Sequence, residues 1–328
     1  MKRYEHYINA TAAAPSTGRY FASRNPYTGE DWAELAEGDA TDVDRAVGAA
    51  ATAFDGEWRR LTASARGRLL VRLADLIEEE APRLAEIEVT DNGKLLAEMG
   101  AQTRYIAEWY RYYGGLADKI EGSVIPSDKP AFFNYTKYEP LGVIAMITPW
   151  NSPLLLLTWK LAPALAAGNT AVIKASEFTS ASTLEFVKLI EQAGFPPGVV
   201  NVITGFGREA GSALVDHPDV AKVAFTGSDL SGQKIYENAA AGIKHVSLEL
   251  GGKSPNIVFE DADLEAAVMG AISGIFAATG QTCIAGSRLL LQRSIHDRFV
   301  KRLVEVAREA RIGDPMDAST NVGPVTTE

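Results

Sequence analysis

The sequence predicts an α/β protein built on a doubly wound parallel sheet. Three observations carry this. From Leu141 onward, short apolar runs alternate with helical patterns, the rhythm of parallel strands joined by crossover helices. Each of those runs ends in small or polar residues: Thr148-Pro149-Trp150-Asn151, Lys174-Ala175-Ser176-Glu177, Thr204-Gly205, Thr226-Gly227-Ser228 and Glu249-Leu250-Gly251-Gly252. In such sheets ligands meet the carboxyl ends of the strands. Finally, 328 residues with 46% hydrophobic and 23% charged content suit a globular chain too long for one core, so two or more domains are expected.

The elements follow in order. Residues 1–38 read as an irregular, strand-rich lead-in with a turn at Asn25-Pro26-Tyr27-Thr28-Gly29. Thr41-Asp42 can cap a helix whose one face is Val43, Ala46, Val47, Ala50 and Phe54. Ser64 opens a second, with Leu69, Leu70, Leu73, Leu76 and Ile77 at helical spacing. Pro82 suits the first turn of a third, and Asp91-Asn92-Gly93 its end. A long helix over 95–116 carries Tyr105, Trp109, Tyr112 and Tyr113, a stripe that reads as core. Residues 119–140 change character. Ser123-Val124-Ile125-Pro126 and the run 132–138 alternate like two strands around a Pro-Ser-Asp-Lys-Pro turn, an arm suited to pairing with another chain. Strands then fall over 142–147, 170–174, 199–203, 222–225 and 245–250, with helices over 154–167, 179–193, 207–215 and 232–241. Internal repeats and low-complexity tracts are not visible.

Composition narrows the function. A net charge of −10 argues against nucleic acid and anionic membrane surfaces as partners. One cysteine excludes an internal disulfide and fits a reducing compartment. No charged-then-apolar leader is visible and no apolar run is long enough to span a bilayer. A cytoplasmic location is the expectation. The four histidines, at 6, 217, 245 and 296, lack ligand-like spacing, so no metal site is expected.

That single cysteine organises the reading. It lies in Gly280-Gln281-Thr282-Cys283-Ile284-Ala285-Gly286. A lone cysteine is by default a small buried hydrophobe. Here glycines bracket it, and Gly280, Gln281 and Thr282 interrupt the apolar run 272–278. A thiol on a tight turn is where a nucleophile is placed, because the thiolate must meet its substrate. Three other motifs fail. The segment from Gly205 to Gly211 is one residue too long for a dinucleotide fingerprint, and its strand is not the first of the sheet. Gly252-Lys253-Ser254 ends like a phosphate loop, but Ser247 stands where the leading glycine belongs. Ser231 and Lys234 have serine–lysine spacing without the flanking motifs.

The strand ends and the cysteine turn together resemble one family. Ile147-Thr148-Pro149-Trp150-Asn151, Lys174-Ala175-Ser176-Glu177, Phe225-Thr226-Gly227-Ser228, Leu248-Glu249-Leu250-Gly251-Gly252-Lys253 and Gly280-Gln281-Thr282-Cys283 occur in this order. They are similar to the aldehyde dehydrogenase superfamily, which oxidises aldehydes with NAD or NADP. The resemblance runs from Asn25-Pro26 to Gly323-Pro324. It implies an NAD-binding domain from residues 1–118 and 141–250, a bridging and oligomerisation hairpin over 119–140, and an incomplete catalytic domain over 251–328. A homo-oligomer is implied for the full-length protein.

The resemblance also implies roles. Cys283 is the nucleophile, forming a thiohemiacetal and then a thioester. The Asn151 amide and the Cys283 backbone N–H hold the oxyanion; a plain turn residue is the other reading of Asn151. Glu249 activates the hydrolytic water. Flanked by Leu248 and Leu250, it is expected to be partly desolvated, with a pKa raised toward a base's range; an ion-paired structural carboxylate is its alternative. The cofactor would lie against Ile147, Thr148, Pro149 and Trp150, then Lys174, Ser176 and Glu177, then Gly207 and Gly211, then Phe225, Thr226, Gly227 and Ser228, then Leu250 and Gly251. Ser228 can cap its helix and meet a pyrophosphate at once. Glu177 would repel a 2′-phosphate, which favours NAD, while Lys174 leaves NADP open. Leu156, Trp159, Thr282 and Ile284 would line the substrate tunnel. Trp159 stands where members that take carboxylated semialdehydes have arginine, so the expected substrate is an uncharged or cationic aldehyde.

One departure is large. Members of the superfamily continue past Gly323-Pro324 to a Glu-x-Phe-Gly-Pro segment and a C-terminal strand, and neither is found before Glu328. The expectation is a C-terminally truncated dehydrogenase of impaired activity. Two readings from other classes stay open: a cofactor-independent cysteine esterase or acyl-transfer enzyme, and a non-catalytic homologue that folds or associates through its sheet and hairpin.

Overall fold

Strand–helix alternation in the sequence becomes a seven-stranded sheet at the centre of the computed structural model, which describes residues 1–327. Five short strands lead in: β1 (Lys2–Tyr4), β2 (His6–Ile8), β3 (Thr11–Ala13), β4 (Tyr20–Arg24) and β5 (Asp31–Ala36). β1, β5 and β4 form a separate three-stranded sheet, whereas β2 and β3 are recruited to the edge of the main one.

Four helices follow: α1 (Ala40–Asp55), α2 (Glu57–Arg60), α3 (Ala63–Asn92) and α4 (Leu96–Leu116). The cap of α1 is Asp39 rather than Thr41. Its carboxylate accepts from the Thr41 and Asp42 N–H groups, and the Asp42 side chain returns a bond to the cap, a reciprocal capping box. Pro82 does not start a third helix, because α3 runs through it. The proline lies on the exposed face, so the carbonyl it leaves unpaired, on exposed Glu78, faces water. Leu73, Ile77, Leu84 and Ala85 meanwhile bury the opposite face on both sides. The helix stops where expected, at Gly93 with φ of 76°. The aromatic stripe of α4 is split: Tyr105 and Tyr112 are exposed, Tyr113 packs against the core, and Tyr110, outside the stripe, is the fully buried aromatic. Stripe residue Trp109 packs edge-on against Trp159, 6.1 Å between ring centroids.

The hairpin is present, with β6 (Val124–Ile125) and β7 (Asn134–Tyr135) paired antiparallel and residues 118–139 exposed throughout. The wound region comes next: β8 (Val143–Ile147), α5 (Pro153–Ala166), β9 (Thr170–Lys174), α6 (Ala181–Gln192), β10 (Val200–Ile203), α7 (Ser212–Asp216), β11 (Val220–Thr226), α8 (Asp229–Ala241) and β12 (His245–Glu249). The sheet runs β12-β11-β8-β9-β10-β2-β3. Its first five strands are parallel, and β2 pairs antiparallel to β10. Winding goes outward from β8 in both directions, which creates a switch point between β8 and β11.

Both faces of this sheet are covered. Ile144 and Met146 of β8 face α3, α4, α5 and α6 through Leu70, Leu73, Ile106, Leu157 and Phe186. Val143, Ala145 and Ile147 point the other way, toward Val43 and Val47 of α1 and Leu214 of α7. This period of two explains why the strands read as continuous apolar runs. Trp58 locks the approach to β9 by donating from Nε1 to the Gly168 and Asn169 carbonyls at 2.9 and 3.1 Å.

The last part of the chain is thinner. β13 (Pro255–Val258) and β14 (Arg288–Leu291) form a two-stranded parallel sheet with α9 (Leu264–Phe276) and α10 (His296–Arg308). Its core is small: Val258, Val268, Ala271, Ile295 and Phe299. Among the described residues, no helix is long and apolar enough to cross a membrane.

Candidate active site

Two places draw the chemistry-bearing residues together. The first is a cleft of ≈ 500 Å³ at the carboxyl ends of β8, β9 and β11, at the switch point where such sheets take ligands. Ile147, Thr148, Pro149 and Trp150 form one wall, Lys174, Ser176 and Glu177 another, and Gly207, Gly211 and Phe225 to Ser228 the rest. Leu250 and Gly251 are placed elsewhere. Leu250 packs so tightly on α8 that a Cβ on Gly232 would approach its side chain to 2.6 Å. The Gly251 N–H donates to Asp229 Oδ1 at 3.2 Å.

Each wall has a local cause. Buried Lys174 closes β9, and its ammonium donates to Glu177 Oε2 at 2.9 Å. Burial pulls the Lys174 pKa down, and the Glu177 carboxylate opposes that. Ser228 caps α8, its hydroxyl accepting from the Ser231 N–H at 3.2 Å. The remaining N–H groups of that helix start are donors for an anion. A Cβ on Gly227 would come within 2.4 Å of the Phe225 ring, so only glycine lets the backbone run this close. Opposite stands a π-turn over Gly207–Gly211, closed by the Gly211 N–H donating to the Phe206 carbonyl.

Sequence reasoning missed part of this lining. Arg208, Ser212, Ser231, Lys234, Ile235 and Asn238 also face the cleft. The spacing 231, 234, 235, 238 is one face of a helix that starts at Ser228, a signal that was legible once Ser228 had been placed. Ser231 and Lys234 thus belong to a cleft wall, not to a nucleophile pair.

The second place is the cysteine turn. Cys283 is half-buried and free. The turn is launched by three successive left-handed residues, Ala278 (φ 55°), Thr279 (φ 56°) and Gly280 (φ 76°). Asn151 Nδ2 donates to the Gln281 carbonyl at 2.9 Å. One of its two amide hydrogens is engaged, which leaves the other for an incoming oxygen. Asn151 Oδ1 is buried without a partner among the described residues. A Cβ on Gly252 would approach the Cys283 carbonyl to 2.9 Å, so the segment that follows Glu249 abuts the cysteine turn.

Glu249 departs from expectation. Its side chain is exposed on the edge strand β12, so the described residues do not desolvate it. It lines a second cleft of ≈ 340 Å³ with Trp159, Lys160, Lys222 and Ser247. Lys160 was not singled out in the sequence. Its ammonium donates to Thr226 Oγ1. Burial pushes its pKa down to about 8, against the pull of Glu249. The four tunnel residues are not gathered: Trp159 lines this second cleft, Leu156 is buried at 6% exposure, and Thr282 and Ile284 sit on the cysteine turn, Ile284 at 76% exposure.

Comparison with known proteins agrees with the fold and the motifs. Residues 13–328 match the aldehyde dehydrogenase family. The chain is 53% identical over its whole length to (Z)-2-((N-methylformamido)methylene)-5-hydroxybutyrolactone dehydrogenase of Acinetobacter baylyi, covering 67% of that protein. It is 48% identical to retinal dehydrogenase 2 of Mus musculus, with 99% of this chain and 63% of that protein covered. The structure superposes on an NAD+ complex of aldehyde dehydrogenase from Bacillus cereus with a TM-score of 0.97 at 44% identity, covering 100% of this chain and 67% of that one. The chain therefore spans about two thirds of the length of the relatives it matches. On these grounds the chain belongs to the aldehyde dehydrogenase family.

Proposed function

We propose that this protein oxidises an aldehyde to the carboxylic acid with NAD+, with Cys283 as nucleophile. The observation that carries the reading is the Asn151–Gln281 bond, which brings an amide donor to the cysteine turn one residue after Trp150 of the switch-point cleft. The Cys283 thiolate attacks the aldehyde carbon and makes a tetrahedral thiohemiacetal. The free amide hydrogen of Asn151 and the Cys283 backbone N–H hold its oxyanion. Bound NAD+ would supply the hydride acceptor. Loss of hydride leaves a thioester on Sγ, and Glu249 takes a proton from the water that cleaves it, releasing the acid and the thiolate.

The cleft suits the dinucleotide. Glu177 can accept from ribose hydroxyls, and the α8 N-terminus with Ser228 can receive the pyrophosphate. The pairing of Lys174 with Glu177 supports NAD over NADP, since the ammonium already has an internal partner. We assign NAD binding to residues 1–118 and 141–250 and the thiol chemistry to residues from 251 onward. The exposed hairpin over 119–140 suits pairing with a second copy of the protein. Trp159, packed on Trp109, supports an uncharged or cationic aldehyde over a carboxylated one. A higher kcat/KM for succinate semialdehyde than for an aromatic aldehyde would contradict that preference.

The test is intact-mass measurement after mixing with aldehyde and NAD+. Cys283→Ala should show neither acylation nor NADH. Glu249→Gln should accumulate a covalent acyl adduct on Cys283, because hydrolysis alone is slowed. Unchanged turnover in Cys283→Ala would overturn the mechanism.

A further inference from the structure

We propose that Lys94, on the turn between α3 and α4, and Glu98, in the first turn of α4, are positioning residues for Cys283: Glu98 holds the strained turn that carries the thiol, so that Sγ faces the buried Lys94 ammonium. This rests on the reading of Cys283 as the nucleophile.

The strain is local. Ala278 and Thr279 occupy a left-handed conformation that disfavours residues with a Cβ. Such a backbone persists only where its surroundings hold it. The Gln281 N–H and Nε2 both donate to the Ala278 carbonyl, at 3.0 and 3.2 Å. Those bonds close the turn on itself and do not fix where it sits. Glu98 does: its Oε1 accepts the Ala278 N–H at 3.0 Å, 180 residues away in sequence. The other carboxylate oxygen of Glu98 is buried without a partner among the described residues.

Lys94 lies four residues earlier, in the link between the two helices, and is 3% exposed. Its backbone is fixed by the Asn92 side chain, whose Oδ1 accepts the Lys94 N–H at 2.9 Å. Its ammonium donates to Ser152 Oγ at 2.7 Å. Ser152 follows Asn151, which in turn holds the Gln281 carbonyl. The contacts form a closed circuit: Glu98 to Ala278, Gln281 to Asn151, Ser152 to Lys94. Burial holds the Lys94 pKa below the usual lysine range, while Glu88, Glu98 and Cys283 pull it upward. The circuit thus fixes the oxyanion donor, the thiol and one buried cation relative to one another.

Cys283 is the sole cysteine, so alkylation reports on it alone. The measurement is the ratio of its second-order rate constants with iodoacetate and iodoacetamide at pH 8, followed by intact mass. Both reagents attack the same thiolate, so thiolate abundance cancels and the ratio reads the field at Sγ. Lys94→Met should lower the ratio by about 3-fold or more, the scale expected for loss of one nearby buried charge. Glu98 is tested in charge-matched pairs. Glu98→Asp keeps the charge but withdraws the oxygen by one methylene, and should give a ratio about 3-fold below the parent chain. Glu98→Ala should fall similarly below Glu98→Gln, which retains an oxygen acceptor. Equal ratios within both pairs, or an unchanged ratio in Lys94→Met, overturn the proposal. If Glu98→Ala does not fold by circular dichroism, the comparison of the parent with Glu98→Asp decides. The ratios need no aldehyde oxidation, so failure of the enzymatic reading and failure of this one are distinguishable.

Discussion

Replacing Glu88 by glutamine should stabilise the protein at alkaline pH and flatten its pH dependence. Glu88 is fully buried, with Oε1 accepting the Leu154 N–H at 2.9 Å at the start of α5. Its Oε2 has no partner among the described residues, and neither does the hydroxyl of Ser182. Burial is the main reason its pKa is pushed up from an ordinary 4.5 to about 7; the Leu154 N–H and the Lys94 charge offset only part of it. That rise means the ionised carboxylate costs the folded state about 3 kcal/mol. The sign follows from linkage. Below about pH 4.5 the group is protonated in both states and costs nothing. Between there and about pH 7 the unfolded chain ionises first, so stability falls as pH rises. Above about pH 7 the full cost persists. Glutamine keeps the Leu154 bond, carries no charge, and puts an NH2 near Ser182 Oγ. Urea denaturation of both chains at pH 5.5 and 8.5 measures the difference. Glu88→Gln should be more stable by about 3 kcal/mol at pH 8.5, and the advantage should shrink by about 2 kcal/mol at pH 5.5. Asp91, also buried and pushed up to about 7, repels the Glu88 carboxylate, and that repulsion is part of the cost the glutamine removes. An advantage that is equal at the two pH values, or a destabilised variant, would refute the account.

Three further outcomes can be checked. Gly252→Ala places a methyl 2.9 Å from the Cys283 carbonyl, and the turn must move to admit it; acylation should slow by roughly 10-fold with the melting temperature little changed, and an unaltered burst would show that the contact is immaterial. Glu177→Gln removes the negative charge at the end of β9 and should raise NADP binding relative to NAD by about 10-fold, read by cofactor fluorescence titration, with an unchanged ratio contradicting the ribose assignment. Amides of β13 and β14 should exchange far faster than those of β8 and β9, because their sheet has a small core and leaves Ile257 and Leu290 exposed; equal protection in hydrogen-exchange mass spectrometry would count against this.

What the sequence revealed depends on the range of the forces involved. Four of the five parallel strands, β8 to β11, were legible because both faces are largely buried, so most positions are apolar and each run stops at a polar strand end; the edge strand β12 alternates instead. The cysteine turn was legible because its glycines interrupt an apolar run. Pro82 misled because a proline is judged by its missing N–H, and only the tertiary position shows that the freed carbonyl faces water. The stripe of Tyr105 and Tyr112 has the spacing of a core face, yet no element packs over it among the described residues. Glu249 sits between two leucines, but on the edge strand its side chain still reaches solvent. Lys94 and Glu98 gave no signal at all. A buried lysine after Gly93 is written like any surface lysine, and its partners lie 58 residues away for Ser152 and 180 for the residue bound by Glu98.

The loop between β8 and α5 links the cleft to the cysteine turn. Thr148, Pro149 and Trp150 face the dinucleotide-sized cleft. The next residue, Asn151, turns to the cysteine loop, and Ser152 turns to Lys94. The Leu154 N–H is then fixed by Glu88. Within seven residues the chain passes from cleft wall to the proposed oxyanion donor to buried anchor. Its entry is tied to the sheet, since the Thr148 N–H donates to the Lys174 carbonyl at 3.2 Å. A displacement of this loop cannot alter the cleft without altering the Asn151 amide. In the proposed reaction, hydride transfer needs the acceptor ring held against the thiol-bound carbon, and a misplacement of about 1 Å can cost on the order of 10²-fold. A rigid loop shared by both sites meets that requirement more directly than two loops positioned independently. The same sharing explains the buried polar groups beneath it: Glu88 and Lys94 are costly to bury, and they bond to Leu154 and Ser152 of this segment.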